Sequence, residues 1–576
     1  MTLWDNKPVF DRVIDLLGQR KKGYVKFNKA RETIINLMRP DLGSDTEPDG
    51  DGSFFGEEIY DGVGSWAVGV MSKGFQGGLV SADTDWFEHN TPNQKMAQVD
   101  ELSVWLQEIK DHHVNVYRAS NFYRVLAPFT KDGVSIGSPV MFIEETDVVN
   151  GEITFLPQHF KTVFLFYDGN NNPNGVIIKD NRWTVKRICD KFAPTAAEQK
   201  EKLPMSIKKD IESGNYYKEH TVIRACFKGD NPLWDVDEFE KPPGEWVSAY
   251  YVEETEEENK NTPLLTEQYF SRPFVVWDYD KKPWESVSRT PAYEAVHDVH
   301  AQQDMTLDQT TNRKLKNNPP RAVLEDHRNI VDFNPEGITP VAAIDWDKLP
   351  KAIDVVGDIR LSREEMEFNA GKIKRWFHTD EFLKFTDMTR DLRQPPSATQ
   401  IIKIAAELAT QINPGITTYT SFLADVDARV MDIESRAGRG PFRPQRIAEI
   451  SAIVQNIAVE LGEKIDLSVV AVFTGPLARA QKVKQELDPI LDGLGVAAGM
   501  IEQQPELVNA IKWHGTLERV FKATGFPMTE FVPKDEYDEI VAAIRAAAAQ
   551  QQQQAFMLEA GKVAPGVMDA MKGSAA

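Results

Sequence analysis

The fold is decided by residues 291–437, a stretch that opens with PAYEAVHDVHAQQDMTLDQTTNRKLKNNPP. Pro291 suits the first turn of a helix, where its missing N–H costs nothing, and Thr290 is placed to cap that helix. Pro319 and the proline after it cannot continue a helix, because proline lacks the backbone donor. The stretch therefore begins with a predicted helix that ends near Asn317.

Two more helices are predicted farther along this stretch. Residues 357–378, GDIRLSREEMEFNAGKIKRWFH, form the second helix, and residues 379–397 are predicted to be a loop. A long helix then covers 398–437, and at 1.5 Å per residue it would span roughly 60 Å. Pro414, followed by Gly415, removes one backbone donor inside that helix, so we expect a kink there.

Long helices joined by exposed-looking segments are unusual in an enzyme core. They favour an assembly of identical subunits around a channel, because each subunit must span the channel and still contact its neighbours. Short apolar runs such as 140–143, 153–155 and 163–167 precede the helical stretch and predict strands. The predicted fold class is therefore α+β, mainly helical, with several structural regions.

The composition narrows the class of protein. A net charge of -22 favours solubility, or a surface that repels polyanions except at local basic patches. Cys189 and Cys226 are the two cysteines of the sequence, which does not indicate a disulfide scaffold. The sequence has neither the apolar core of a signal peptide nor a run of about 18 apolar residues, so we expect an intracellular, soluble protein without membrane spans.

One motif suggests an alternative function. Residues 133–137, GVSIG, match the G-x-S-x-G pattern of a hydrolase nucleophile, with Ser135 as the candidate nucleophile. That chemistry requires a strand before the serine and a helix after it. Here a helix is predicted before the motif and a strand after it. A helix-to-strand turn is therefore favoured, and a serine hydrolase is kept as the alternative.

The candidate metal motifs are weak. The loop from Asp45 resembles a calcium-binding loop but lacks the carboxylate at its twelfth position. His297 and His300 share a predicted helix face, but no cysteine lies near them in sequence. His112 and His113 are adjacent and point to different faces of a helix. No metal site and no cofactor are therefore predicted.

Basic residues form two groups within the decisive stretch, against an acidic background. The group at the end of the first helix is Arg313, Lys314, Lys316 and Arg321. The group at the end of the second helix and in the following loop is Lys372, Lys374, Arg375, Lys384, Arg390 and Arg393. Such mixed charge contacts phosphates weakly and without sequence preference. The alternatives are ordinary solvated helix ends or salt bridges between subunits.

The order of these elements resembles a known family over nearly the full length. Three passages and the helical block carry the resemblance. The passages are DGVGSWAVGVMSKGFQGGLVSADTDWFEH (61–89), NFYRVLAPFTKDGVSIGSPVMFIEE (121–145) and VVAVFTGPLARAQK (469–482). In this order the sequence resembles the portal, or head-to-tail connector, proteins of short-tailed, podovirus-type bacteriophages.

The resemblance implies a portal fold divided into regions and assembled as a dodecameric ring. The implied regions are an N-terminal wing over 1–290 (helices, then a β-rich part), stem helices over 291–317 and 357–378, a clip over 318–356, a tunnel loop over 379–397, a kinked long helix with the remaining wing over 398–476, and a crown with a helical tail over 477–576. The larger basic group becomes a set of DNA-channel candidates, and the smaller group marks the end of the stem beside the clip.

The implied function is structural, without catalytic residues or a cofactor. The ring would sit at one capsid vertex of the virion after assembly in the host cytoplasm. Double-stranded DNA would be packaged through it by the terminase large subunit and later ejected, without sequence preference. Further implied partners are the major capsid and scaffolding proteins and the tail adaptor proteins.

Overall fold

The protein was analysed as a computed structural model, which describes most of the first 478 residues. The described ranges are 7–42, 59–82, 85–92, 99–147, 151–236, 243–253, 262–317, 321–322, 351–352, 359–390, 410–461 and 468–478, with short pieces between 490 and 544. The chain divides into two compact units, residues 1–478 and 479–576. Within the second unit, His514 Nε2 lies 3.0 Å from the carbonyl oxygen of Val532.

The first unit contains long helices and short antiparallel strands. Its helices are α1 (Val9–Met38), α2 (Val63–Leu79), α3 (Asp100–Ala119), α4 (Phe122–Ser135), α5 (Val185–Phe192), α6 (Ala196–Lys202), α7 (Met205–Glu212), α8 (Pro291–Asn317), α9 (Ile359–Trp376), α10 (Thr379–Arg390), α11 (Asn413–Ala437) and α12 (Pro444–Leu461). None of the described helices has both the length and the apolar composition that crossing a membrane would require.

In the described part of the chain, the strands form two larger sheets and two short pairs. They are β1 (Phe87–Asn90), β2 (Val140–Asp147), β3 (Glu152–Gln158), β4 (Val163–Tyr167), β5 (Pro173–Thr184), β6 (Glu219–Lys228), β7 (Trp246–Val252), β8 (Leu265–Tyr269), β9 (Phe274–Val276), β10 (Arg321–Ala322), β11 (Lys351–Ala352) and β12 (Val470–Phe473). The sheet orders are β4-β5-β6-β7-β8 and β3-β2-β9, and the pairs are β1-β12 and β10-β11. The predicted mixed, mainly helical α+β class is confirmed.

Helix α1 connects two hydrophobic cores. Its first half places Val13 among the buried residues of the five-stranded sheet, whereas Met38 near its end lies in the core of the helices. Between them, Arg31 donates hydrogen bonds to the carbonyl oxygens of Ile136 and Gly137, at 2.9 and 2.8 Å. These bonds satisfy two carbonyls in the buried turn between α4 and β2, so α1 holds the helical and sheet layers together.

Small residues let α2 pack closely at the centre of the helical core. A Cβ at Gly64 would lie 3.0 Å from Val299 on α8, and one at Gly78 would lie 2.3 Å from the side chain of Leu477. Because α2 carries glycine where its neighbours approach, α8 and the segment after β12 pack directly against its backbone. Helix α2 therefore packs against the first half of α8.

Two predictions within the decisive stretch need correction. Residues 379–390 form α10, whereas a loop was predicted over 379–397, and residues 391–397 lie outside the described part. The predicted single helix over 398–437 is interrupted at Ile412, after which α11 begins. Pro414 stands in the first turn of α11, where a missing N–H breaks no bond, so it starts a helix rather than kinking one.

Candidate functional site

Helices α8 and α9 pack side by side and run in opposite directions. The side-chain amide of Asn369 donates to the carbonyl oxygen of Asp298 at 2.8 Å and to Gln302 Oε1 at 3.1 Å. Farther along α9, the indole N–H of Trp376 donates to the carboxylate of Asp298 at 2.9 Å. Later residues of α9 therefore meet earlier residues of α8, which defines an antiparallel helix pair.

The far end of this pair is closed by β10 and β11. Arg321 pairs with Ala352, and Ala322 pairs with Lys351, in antiparallel register. The chain therefore leaves α8, enters a two-stranded ladder and returns through α9. The segment 323–350, which falls within the predicted clip, lies outside the described residues. Its two flanking strands nevertheless hold the ends of the helix pair together.

The middle of α8 is fixed to the loop before α2. Gln303 accepts hydrogen bonds from the backbone N–H groups of Tyr60 and Asp61, at 2.6 and 2.8 Å, and returns one to the carbonyl oxygen of Asp61. Gln302 donates to the carboxylate of Asp61 at 3.0 Å. The first half of α8 is thus bound to the core, whereas its last two turns are mostly exposed.

The larger basic group divides between α9 and α10. Lys372 and Arg375 are exposed on one face of α9, and the Lys372 ammonium lies 5.0 Å from the ring centroid of Phe368 on the same face. Lys374 instead lies over the indole ring of Trp66 at 5.7 Å, so it supports the contact between α9 and α2. Lys384 is exposed on α10.

The remaining basic candidates are described in part. Arg390 is the last residue of α10, but its side chain and the whole of Arg393 lie outside the described part of the chain. In the smaller group, Arg313, Lys314 and Lys316 are exposed on the last turns of α8, and the backbone of Arg321 lies in β10.

The structure separates the two basic groups along the helix pair. Lys372 and Arg375 lie near the core, on the stretch of α9 that contacts Asp298. Lys314 follows Asp298 by 16 positions on the same helix, and this spacing corresponds to roughly 24 Å along the axis. Two basic zones therefore mark opposite ends of one rod.

The junction of α9 and α10 is a tight elbow that packs against α2. His378 adopts a positive φ of 49°, and the hydroxyl of Thr379 donates to the carbonyl oxygen of Lys374 at 3.2 Å. Phe382 is buried against Phe75, with ring centroids 6.0 Å apart. This packing explains why 379–390 is helical, since an amphipathic turn there buries an aromatic ring.

Gly74 is required at this elbow, and a pair of glycine variants tests the requirement. A Cβ at Gly74 would lie 2.2 Å from Phe382 Cδ1, whereas one at exposed Gly77 would meet nothing within 4 Å. We expect Gly74→Ala to lower the free energy of unfolding by about 1–3 kcal/mol and to increase hydrogen exchange in α10. Gly77→Ala should raise that free energy by roughly 0.5–1 kcal/mol, because alanine favours the helix. Equal effects in urea unfolding would contradict this packing.

Ser135 does not have the surroundings of a nucleophile. It is fully buried at the end of α4, where it accepts a hydrogen bond from Arg39 Nη1 at 2.6 Å and donates to the Lys131 carbonyl oxygen at 2.6 Å. After it, Gly137 and Ser138 adopt positive φ in the turn to β2. Thr290, expected as a helix cap, donates its hydroxyl to the Ser135 carbonyl oxygen at 2.6 Å. The motif is a structural helix-to-strand turn.

One buried polar cluster was missed at the level of sequence. His89 of β1, His113 of α3 and Asp427 of α11 meet in the core of the first unit. The adjacent His112 and His113 point to different faces of α3, so their spacing indicates no shared site, and Asp427 lies 338 positions from His89. No local spacing joins these residues, so the sequence offered no signal for the cluster.

Comparison with known proteins gives the class: a structural component of bacteriophage particles. The chain belongs to the family described as bacteriophage head to tail connecting protein, whose family model matches residues 13–532. The chain is 24% identical over 213 residues to the portal protein of Salmonella phage epsilon15, a match that covers 36% of each chain. It is 22% identical over 470 residues to the probable portal protein of Bordetella phage BPP-1, covering 80% of this chain and 77% of that protein. The family predicted from the order of elements is confirmed.

Proposed function

We propose that this chain is a portal subunit that assembles into a dodecameric ring around a channel for double-stranded DNA. The observation that carries the proposal is the α8–α9 pair, an antiparallel rod bound to the core at one end, in a chain of the head-to-tail connector family. With 27 residues, α8 is roughly 40 Å long. Twelve such rods side by side would form a wall of that height around a duplex.

The two basic zones would contact DNA at different heights of this wall. Lys372 and Arg375 form the zone near the core, and Arg313, Lys314 and Lys316 form the zone at the far end. Few cations per subunit give weak contacts with phosphates and no sequence preference. Weak contacts suit a duplex that must slide in both directions, and the overall charge of -22 limits adhesion elsewhere.

The proposed partners of the ring follow from its proposed location in the virus particle. We place it at one vertex of the capsid in the virion, after assembly with major capsid and scaffolding proteins in the host cytoplasm. The terminase large subunit would package DNA through it, and ejection would follow the same path. The clip region, 318–356, follows α8 in the sequence and would bind tail adaptors. The tunnel-loop region, 379–397, would begin as α10, and 477–576 would form the crown.

The assembly is tested first by imaging. The purified full-length protein should form closed rings in negative-stain electron microscopy, with twelve subunits after classification. A protein that remains monomeric at micromolar concentration and in virion-like salt contradicts the proposal. Rings with a different number of subunits would contradict the proposed dodecamer but would still support a ring-shaped channel.

The DNA contacts are tested on assembled rings with two double variants. We expect Lys372→Ala with Arg375→Ala to flatten the dependence of DNA affinity on salt, since each lost phosphate contact lowers the slope of log K against log salt by about 0.9. The matched control is Lys200→Ala with Lys209→Ala, which removes the same charge from exposed positions on α6 and α7. Equal slopes for the two double variants, in rings of normal appearance, would exclude the two α9 residues as DNA contacts.

A further inference from the structure

The buried cluster of His89, His113 and Asp427 gathers three metal-binding side chains from three separate elements. His89 Nε2 lies 2.8 Å from Asp427 Oδ2, and His113 Nδ1 lies 2.7 Å from Asp427 Oδ1. One donor atom from each residue lies within 4.8 Å of the other two. Both imidazole side chains are fully buried, and the carboxylate side chain is 6% exposed. The two rings stand perpendicular, with centroids 5.0 Å apart.

Within the described part of the chain, no lysine or arginine forms an ion pair with Asp427. Among the described residues, the groups that hydrogen-bond Asp427 are the two histidines and the hydroxyl of Tyr117, at 3.2 Å. A carboxylate that is buried without a lysine or arginine beside it is costly unless another cation accompanies it.

We propose that His89, His113 and Asp427 form a binding site for one divalent transition-metal ion of the Zn²⁺ class. Two imidazole nitrogens and one carboxylate oxygen are donors that Zn²⁺ uses in proteins, and the charge of the ion would offset that of a buried carboxylate. The ion would join β1, α3 and α11. The site lies within the first unit and does not depend on ring formation.

The geometry also sets the cost of binding. Ligand atoms around a tetrahedral Zn²⁺ lie about 3.3 Å apart, so the rings and the carboxylate must separate by roughly half an ångström. Coordination would leave a proton on the outer nitrogens, His89 Nδ1 and His113 Nε2, which are buried and have no hydrogen-bond partner among the described residues. Lack of such support weakens a metal site by roughly 10–100-fold. We therefore expect a reversible site rather than one that survives strong chelators.

Metal titration of the untagged full-length protein tests the site. After removal of metals with a chelator, Co²⁺ should bind at one ion per chain and produce the visible absorption of a low-coordinate complex. Zn²⁺ should displace it and raise the thermal midpoint, and EDTA should reverse both effects. Wild-type protein that takes up neither ion at pH 7.5 overturns the proposal and leaves a purely hydrogen-bonded cluster.

Variants identify the ligands. His113→Gln and Asp427→Asn should each abolish the cobalt absorption, whereas His300→Gln, which removes an exposed histidine of α8, should leave it unchanged. Persistence of the absorption in both cluster variants overturns the assignment. If a variant fails to fold, zinc-edge X-ray absorption of the wild type decides, because the proposal requires two imidazole ligands on the ion. A spectrum without imidazole ligands also overturns it.

Discussion

Replacing Trp277 by alanine is expected to lower the free energy of unfolding of the first unit by about 3–5 kcal/mol. The indole is fully buried and meets three elements at once. Its ring centroid lies 4.7 Å from that of Tyr419 on α11 and 5.7 Å from that of Phe75 on α2. It also lies against Gly133 of α4, where an added Cβ would approach it to 2.0 Å. Alanine would leave a cavity that these backbones cannot fill.

The indole N–H adds a polar contribution to the same effect. It donates to the Thr418 hydroxyl at 3.2 Å, so truncation removes a hydrogen bond that tethers α11 to the end of β9. The measurement is the urea midpoint followed by circular dichroism, with the slope checked for a change in cooperativity. A fall in the slope would indicate that α11 detaches separately from the rest of the unit.

Trp284 provides the matched control, because it undergoes the same chemical change at the surface. Its side chain is 79% exposed. We expect Trp284→Ala to change the free energy of unfolding by no more than about 0.5 kcal/mol. Similar shifts for both variants would contradict the packing around Trp277.

The sequence predicted the elements whose ends are set by local chemistry. Helix α8 begins at Pro291 and ends at Asn317 as proline placement indicated, and α9 lies within the predicted 357–378. The placement of Lys374 and Arg375 in the last turn of α9 was also predictable, since cations are favoured there. For these residues, neighbours in sequence carry most of the information.

Elements that depend on distant packing were not predicted. Helix α10 forms where Phe382 can bury against Gly74, about 300 positions earlier, and α11 starts afresh where Gly415 meets the rings of Tyr279 and Phe75. Predicting the separation of the two basic groups would have required knowing that α8 and α9 run antiparallel. Predicting the cluster at Asp427 would have required knowing that three distant segments meet in the core. Periodicity cannot report any of these long-range contacts.

Replacing Arg39 by methionine is expected to lower the free energy of unfolding by about 2–3 kcal/mol. The guanidinium is 1% exposed and donates to Ser135 Oγ at 2.6 Å, Asp132 Oδ1 at 2.9 Å and Asp41 Oδ2 at 2.9 Å. Breaking a fully buried ion pair costs roughly 3–5 kcal/mol. The cost should be lower here, because both carboxylates are partly exposed and can be hydrated after the change.

Arg436 is the matched control for the loss of a guanidinium. It pairs with Asp432 at 2.6 Å, but its side chain is 50% exposed. A solvated pair contributes at most about 1 kcal/mol, so Arg436→Met should have a small effect in the same urea titration. If Arg436→Met were as destabilising as Arg39→Met, the buried network would not be the cause.

The dependence on pH gives Arg39→Met a second, independent signature. Burial would raise the pKa of Asp41, but hydrogen bonds and charge from Arg39, with help from Lys131, lower it to about 2. A carboxyl with a depressed pKa stabilises the fold above its ordinary value of 3.8 and loses that contribution as the pH falls towards 2. Burial, in contrast, raises the pKa of Asp132 despite Arg39, and removing the arginine would raise it further.

Both carboxyl groups therefore reduce the stability difference between the wild type and Arg39→Met as the pH falls. As the pH falls from about 4 to about 2, the wild type loses the contribution of Asp41. Both proteins gain stability when Asp132 is protonated, and the variant gains more because its Asp132 pKa is higher. The stability difference between wild type and Arg39→Met should narrow, which urea unfolding at about pH 6 and about pH 3 would measure. Because the Asp41 side chain is 43% exposed, solvent screening keeps this narrowing smaller than the main effect. A difference that stayed the same on acidification would mean that Arg39 stabilises the turn through packing rather than through its charge, and a difference that widened would also contradict the expected narrowing.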